Sequence, residues 1–211
     1  MAGMTRRAAL LLLLAGVAML GATAADAAVV VGKISRIVGD GRATSEGVVR
    51  VLAADAPIHQ DEVVTTGVAA RLEVTLNDGT VLTVGEKARI AIDSFVYHPA
   101  GTVNRLKVAV AGPFRFVSGK LSKLPGADVA VTTPVATIGV RGTDFWGGPI
   151  DGHFGVFLIV GKVSVVNAAG RALLAESGEG TNIAGIGAPP GALTLWPADK
   201  VARALATVNF P

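Results

Sequence analysis

The stretch Arg71-Leu72-Glu73-Val74-Thr75-Leu76-Asn77-Asp78-Gly79-Thr80-Val81-Leu82-Thr83-Val84 decides how the chain is read. Polar and apolar residues alternate from Arg71 to Leu76. A period of two puts Leu72, Val74 and Leu76 on one face of an extended strand, and Arg71, Glu73 and Thr75 on the other. Asn77-Asp78-Gly79 supplies the positive φ that a tight reversal needs, and Val81 to Val84 runs back. One face on a core and one in water is the mark of antiparallel strands.

The same alternation recurs on either side. Arg89-Ile90-Ala91-Ile92-Asp93 shows it, and so does Lys162-Val163-Ser164-Val165. A first strand reads from Val29 to Ile37 and stops at Gly39-Asp40-Gly41. Further reversals are expected at Gly85 to Lys87, Gly147 to Gly152, Gly161-Lys162 and Asn167 to Gly170. Roughly a dozen short strands result. The expected fold class is all-β: mainly antiparallel strands in a sandwich or a rolled, solenoid-like sheet, with one short C-terminal helix. That helix is expected over about 197–207, because Pro197 suits a first helical turn and Val201, Ala204 and Leu205 would share a face. Residues 168–211 otherwise read as an irregular tail, rich in Gly and Pro from Gly178 to Gly191.

The N-terminus has the parts of a secretory leader. Arg6 and Arg7 precede an apolar run from Ala8 to Leu20, and Ala25-Asp26-Ala27 fits a small-x-small cleavage site. Cleavage is expected after Ala27, which sets residues 1–27 as signal peptide and 28–167 as the β domain. Thr5-Arg6-Arg7 also resembles a twin-arginine export signal, so two export routes are open. The expected location is periplasmic or secreted, with no membrane span after cleavage. Cleavage leaves 184 of the 211 residues and lowers the net charge from +3 to +2. So small a surplus, with basic residues scattered singly, argues against nucleic acid as a partner. The chain has no cysteine, which excludes a thiol nucleophile, a thiolate metal site and a lipid anchor at the cleavage site.

Reactive constellations are missing too. His59, His98 and His153 fall in expected loops, none at a metal-ligand spacing, so neither a metal nor a cofactor is expected. Ser177 lacks an elbow and an adjacent base. Asp61 with Glu62, and Glu176 with Glu179, read as solvated loop charge. Trp146 and Trp196 read as isolated packing residues, and Phe114, Phe116 and Phe145 as core. The chain is not expected to be an enzyme.

The run Gly67…Arg71-Leu72-Glu73-Val74-Thr75-Leu76-Asn77-Asp78-Gly79-Thr80-Val81-Leu82-Thr83-Val84 leads to Gly112-Pro113-Phe114-Arg115-Phe116. It is followed by Thr133-Pro134-Val135-Ala136-Thr137-Ile138-Gly139-Val140-Arg141-Gly142-Thr143-Asp144-Phe145, and then by Gly161-Lys162-Val163-Ser164-Val165. This order resembles the FecR-type periplasmic domain over about Val29 to Asn167. The Thr-Pro to Arg-Gly-Thr passage is its specific part. The resemblance implies a sensing or interaction module. Full-length regulators of that type join a cytoplasmic anti-sigma region, one membrane span and this domain. They relay occupancy of an outer-membrane siderophore receptor to a sigma factor. This sequence departs from that plan by opening on a leader, so a stand-alone exported module that binds another envelope protein is expected. A small-ligand or glycan-binding β-sandwich is the alternative.

Thr133, Pro134, Gly139, Arg141, Gly142 and Thr143 form the structural signature. Pro134 cannot donate to a ladder and belongs at a strand start or an edge. Gly139 and Gly142 suggest that another backbone passes close to Arg141. The expectation adopted for Arg141 is a clamp, its stem buried and its guanidinium tying loop carbonyls or a carboxylate. The alternative is an exposed head group that contacts a partner. Asp144 is either the carboxylate partner of a Lys or Arg or an outward strand residue.

Overall fold

The computed structural model describes residues 29–211, so the leader expected at 1–27 lies outside the described residues. Sixteen strands form one sheet. They are β1 (Val30–Val38), β2 (Gly41–Ser45), β3 (Val48–Val51), β4 (Pro57–His59), β5 (Val63–Thr66), β6 (Arg71–Leu76), β7 (Val81–Val84) and β8 (Arg89–Val96). There follow β9 (Arg105–Ala111), β10 (Phe114–Val117), β11 (Asp128–Thr132), β12 (Thr137–Ile150), β13 (His153–Asn167), β14 (Gly170–Leu174), β15 (Glu179–Ile183) and β16 (Thr194–Leu195). A 3-10 turn spans Leu121–Lys123, and α1 spans Ala198–Ala206. The all-β class with a short C-terminal helix is what the alternation called for.

Pairing along β12 organises the sheet. β13 follows one edge of β12 from Thr137 to Ile150. The opposite edge is divided: Thr137 to Gly139 pair with β11, and Asp144 to Gly147 pair with β10. From β11 the order runs outward through β9, β8, β5, β2 and β3; from β10 it runs through β7, β6, β1 and β4. Two half-sheets thus leave the same edge of one strand, on either side of residues 140–143. Neighbours along this path are antiparallel except β9 and β11, which run parallel. The chain passes between the halves at short corners, such as β1 to β2 at residues 39–40 and β9 to β10 at residues 112–113. Corners this short force the halves to lie face to face, and the sheet rolls up. The corners bond to one another. Gly67 N donates to Asp40 O (2.8 Å), and Gly85 N donates to Pro113 O (2.9 Å). The buried Thr66 Oγ1 donates to Gly85 O (2.7 Å) and accepts from Ala88 N (2.9 Å).

Between the halves lies the main core. The alternating residues Leu72, Val74, Leu82 and Val84 are buried there, with Phe114, Phe116 and Phe145. Each such side chain contributes about 1.5–3 kcal/mol through lost apolar exposure. The Phe145 ring meets Phe114 edge-on, with centroids 5.7 Å apart.

Three expectations need correction. Gly147 and Gly148 sit inside β12, and the reversal comes only at Asp151-Gly152. Close packing explains these glycines: a Cβ on Gly147 would lie 2.7 Å from the Phe114 ring, and one on Gly148 2.7 Å from Pro113 Cα. Gly161 does not reverse the chain either; β13 runs straight through it. Here Arg141 pairs with Lys162 and Asp144 with Val160, so the ladder carries a β-bulge. Third, residues 168–211 are not irregular. β14 and β15 pair with β13, and β16 pairs with β15. α1 then packs on a second apolar cluster of Trp146, Ile150, Phe157, Trp196, Ala204 and Val208. The tryptophans, expected to be isolated, meet with centroids 6.0 Å apart. Local Gly and Pro content masked these strands, whose partners lie in β13 and β15.

The bulge is testable. Gly161 has φ +93°, and an added Cβ would collide with the Gly142 carbonyl. Gly142 has φ +60° with open space around it. Gly161→Ala should lower unfolding free energy in urea by at least about 3 kcal/mol. Gly142→Ala should cost only about 1–2 kcal/mol. Equal losses would contradict the close approach at Gly161.

Candidate functional site

The signature residues run from the turn before β12 to the point where the half-sheets part. Thr133 to Ala136 form the turn between β11 and β12. The buried Thr133 Oγ1 donates to Ala136 O (2.8 Å) and accepts from Ala136 N (3.1 Å), which closes the turn around the exposed Pro134. Gly139 lies beside Ser164, whose Oγ would sit 2.6 Å from a Cβ there. Thr143 is the joint itself. Its N–H donates to Ser118 Oγ (2.7 Å), and its carbonyl accepts from Ser118 N (2.9 Å), which fixes the end of β10. Its hydroxyl donates to Lys162 O (2.7 Å) and accepts from Arg141 N (3.3 Å), which fixes β13 and the bulge. Thr143 is 3% exposed.

Arg141 is not the clamp it was expected to be. Val140 points into the core, so Arg141 points outward and is exposed. Among the described residues its guanidinium has no hydrogen-bond partner, while its backbone N–H donates to Thr143 Oγ1. The hydroxyl of Thr143 does the tying. A short buried group suffices because the bulge brings Lys162 O within direct reach.

An arginine clamp does exist elsewhere. β3 and β4 are the free ends of the two half-sheets. Arg50 on β3 donates through Nε to Glu62 Oε1 (3.0 Å), through NH2 to Glu62 Oε2 (2.7 Å), and also to the Pro57 carbonyl on β4. Glu62 also accepts from His59 N (3.0 Å), and His59 Nδ1 lies 3.2 Å from Oε1. Glu62 is 5% exposed, so its reading as solvated charge is corrected; Asp61 is exposed. Burial pushes the Glu62 carboxyl up. The Arg50 hydrogen bonds and the His59 amide outweigh that and hold it below the usual range. Nothing local to Asp61-Glu62 signals a partner twelve residues earlier.

Other charges are also engaged. Asp144 takes the first of its expected roles: Arg115 donates through Nε to Oδ1 (2.9 Å) and through NH2 to Oδ2 (2.7 Å). Ser35 Oγ donates to Glu73 Oε1 (2.8 Å), on the same outward face. Asp78, in the β6–β7 hairpin, is buried. It accepts from Thr80 N (3.0 Å), Thr80 Oγ1 (2.8 Å) and Leu121 N (3.2 Å), so that turn holds the 3-10 turn as well. Glu179 accepts from Ala175 N and Glu176 N. His98 in a loop and Ser177 in a turn are exposed; His153, expected in a loop, is instead the exposed first residue of β13. Among the described residues no group of three or more His, Cys, Asp or Glu is placed to hold a metal ion. No helix among them is long and apolar enough to cross a membrane. A shallow groove of about 240 Å³ runs beside Pro134, floored by Ala91, Ala109 and Thr132.

A rolled all-β module whose buried charges brace its own seams is the class these observations define. Residues 62–164 match the family model described as FecR protein. Two crystal structures of a candidate anti-sigma factor from Parabacteroides distasonis share the fold. Both align with a TM-score of 0.53 at 20% identity over 68% of this chain. They are covered over 64% and 63% of their own lengths, so this chain spans under two thirds of that protein. No curated protein matches the chain.

The Arg50–Glu62 seam predicts a pH response. A carboxyl held below its ordinary value of 4.5 contributes stability that is present above that pH and lost as pH falls through the lower folded value. Glu62→Gln should flatten the fall in melting temperature below about pH 4.5. At pH 7, Arg50→Ala should cost about 2–3 kcal/mol, because it leaves a buried carboxylate short of donors. An unchanged acid limb in Glu62→Gln would contradict the seam.

Proposed function

We propose that this chain is a non-enzymatic FecR-type module of the periplasm or cell envelope that works by binding another envelope protein. One observation carries the reading: the family match covers β5 to β12 and most of β13, which include strands of both half-sheets and their joint. Three of the less exposed acids are committed to structure. Glu62 braces the β3–β4 seam, Asp144 pairs with Arg115, and Asp78 holds a turn. What remains for partners is surface. The exported location rests on the leader read in residues 1–27. The two crystal structures that share this fold, named as a candidate anti-sigma factor, support a regulatory role that acts through protein contact.

The experiment is chemical cross-linking in intact cells with the full chain carrying a C-terminal tag, followed by purification of the recovered protein and a binding titration. The expected result is saturable binding of one envelope protein to the purified, cleaved chain. Recovery of an oligosaccharide alone, or turnover of a small molecule by the purified chain, would contradict the reading.

A further inference from the structure

The outward side of the half-sheet that runs from β8 through β9, β11 and β12 to β13 and β14 has a composition its fold does not demand. Val108, Val131, Ile138 and Val165 point inward, so the residues between them face out. Register then sets the rows. One row runs Lys107, Ala130, Gly139, Ser164, Leu173. The next runs Ala109, Thr132, Thr137, Val166, Arg171. The middle of this face is therefore a floor of small side chains. With strands about 4.8 Å apart, five strands make it about 19 Å wide.

Cations ring that floor: Arg89, Arg105, Lys107, Arg141, Lys162 and Arg171. Only two carboxylates share the face, Asp93 and Asp128, and Asp128 is already taken by Lys107 and, at 3.7 Å, by Arg105. A surplus of four positive charges on one face exceeds the +3 of the whole chain. Among the described residues Arg89, Arg141, Lys162 and Arg171 make no ion pair within 4.0 Å. Arg141 and Lys162 are direct cross-strand partners, both exposed. Like charges so placed repel and cost stability unless an anion stands over them.

We propose that this face, with Arg141 and Lys162 at its centre of charge, docks an acidic polypeptide segment of the partner. The inference rests on the protein-binding reading above and adds the surface and the chemistry. Small floor residues let a backbone approach the sheet while carboxylates reach the rim. Among the described residues no aromatic ring stands on these rows, so stacking for a sugar is missing. Val166 and Leu173, on one side only, are the large aliphatic groups of the rows, too few to anchor the face in lipid.

The test is fluorescence anisotropy of the full chain with a labelled 14-residue peptide of alternating Glu and Ser, at low and at physiological salt. The Gln-for-Glu peptide, anionic phosphatidylglycerol vesicles and heparin are run beside it. The expected result is binding of the Glu peptide alone, weakened by salt, and weakened at least about tenfold in the double variant Arg141→Glu, Lys162→Glu. Both positions are exposed, so that variant should keep its melting temperature; Lys87→Glu, off this face, should bind within twofold of the parent. Equal binding of the Gln peptide, an unaffected double variant, or binding of only vesicles or heparin would overturn the proposal. Capture of the same envelope protein by parent and double variant alike would overturn this surface while leaving the protein-binding reading intact.

Discussion

The constraint on which the rest depends is that two half-sheets share one edge of β12. A strand edge offers a single row of donors and acceptors, so β11 and β10 can both use it only if one ends where the other begins. The handover occurs at Gly142-Thr143. The backbone must bulge there, and three strands must be held where regular pairing lapses. Thr143 does this with one hydroxyl, one amide and one carbonyl, bonding β13, the chain just after β10 and its own bulge. Gly161 gives the clearance for the Gly142 carbonyl. Everything outward follows: the face-to-face halves, the corners that stack along them, and the core between.

At the far side the roll has to be closed without a continuous ladder. β3 and β4 end the two halves, and a buried carboxylate with a bidentate arginine ties them. The roll thus has a hydrogen-bonded seam at β12 and an ionic one at β3 and β4. Each answers the problem of unpaired polar groups at a sheet edge, by different chemistry. The strap made by β16 and α1 covers a third exposed region, the outer side of Trp146 and Phe157. Trp146 Nε1 donates to Thr207 Oγ1 (3.0 Å), and Arg36 stands 4.1 Å over the Phe210 ring.

Much of this was legible in the sequence because burial imposes a period of two. Arg71 to Val84 gave its strands, its turn and its core side chains directly. Thr143, at the end of the signature, sits at the joint. What was not legible depends on partners distant along the chain. Glycine reads locally as a turn, yet Gly147 and Gly161 sit inside long strands because Phe114 and Gly142 come close to them. β14 and β15 have little alternation of their own and exist because β13 offers them edges. Arg141 looked buried because its neighbours are apolar. Strand alternation itself, applied from Val140, turns it outward, and that signal was available. Arg50 and Glu62 carried no local mark at all.

The rolled sheet depends on which group holds the joint. Urea unfolding of Thr143→Val, which keeps shape and removes the hydroxyl, set beside Arg141→Ala, tests this most directly. The expected loss is about 2–3 kcal/mol for the threonine, since Lys162 O loses its buried donor, and the expected change is within about 0.5 kcal/mol for the arginine. A stable Thr143→Val with a crippled Arg141→Ala would show that the guanidinium, not the hydroxyl, holds the half-sheets together.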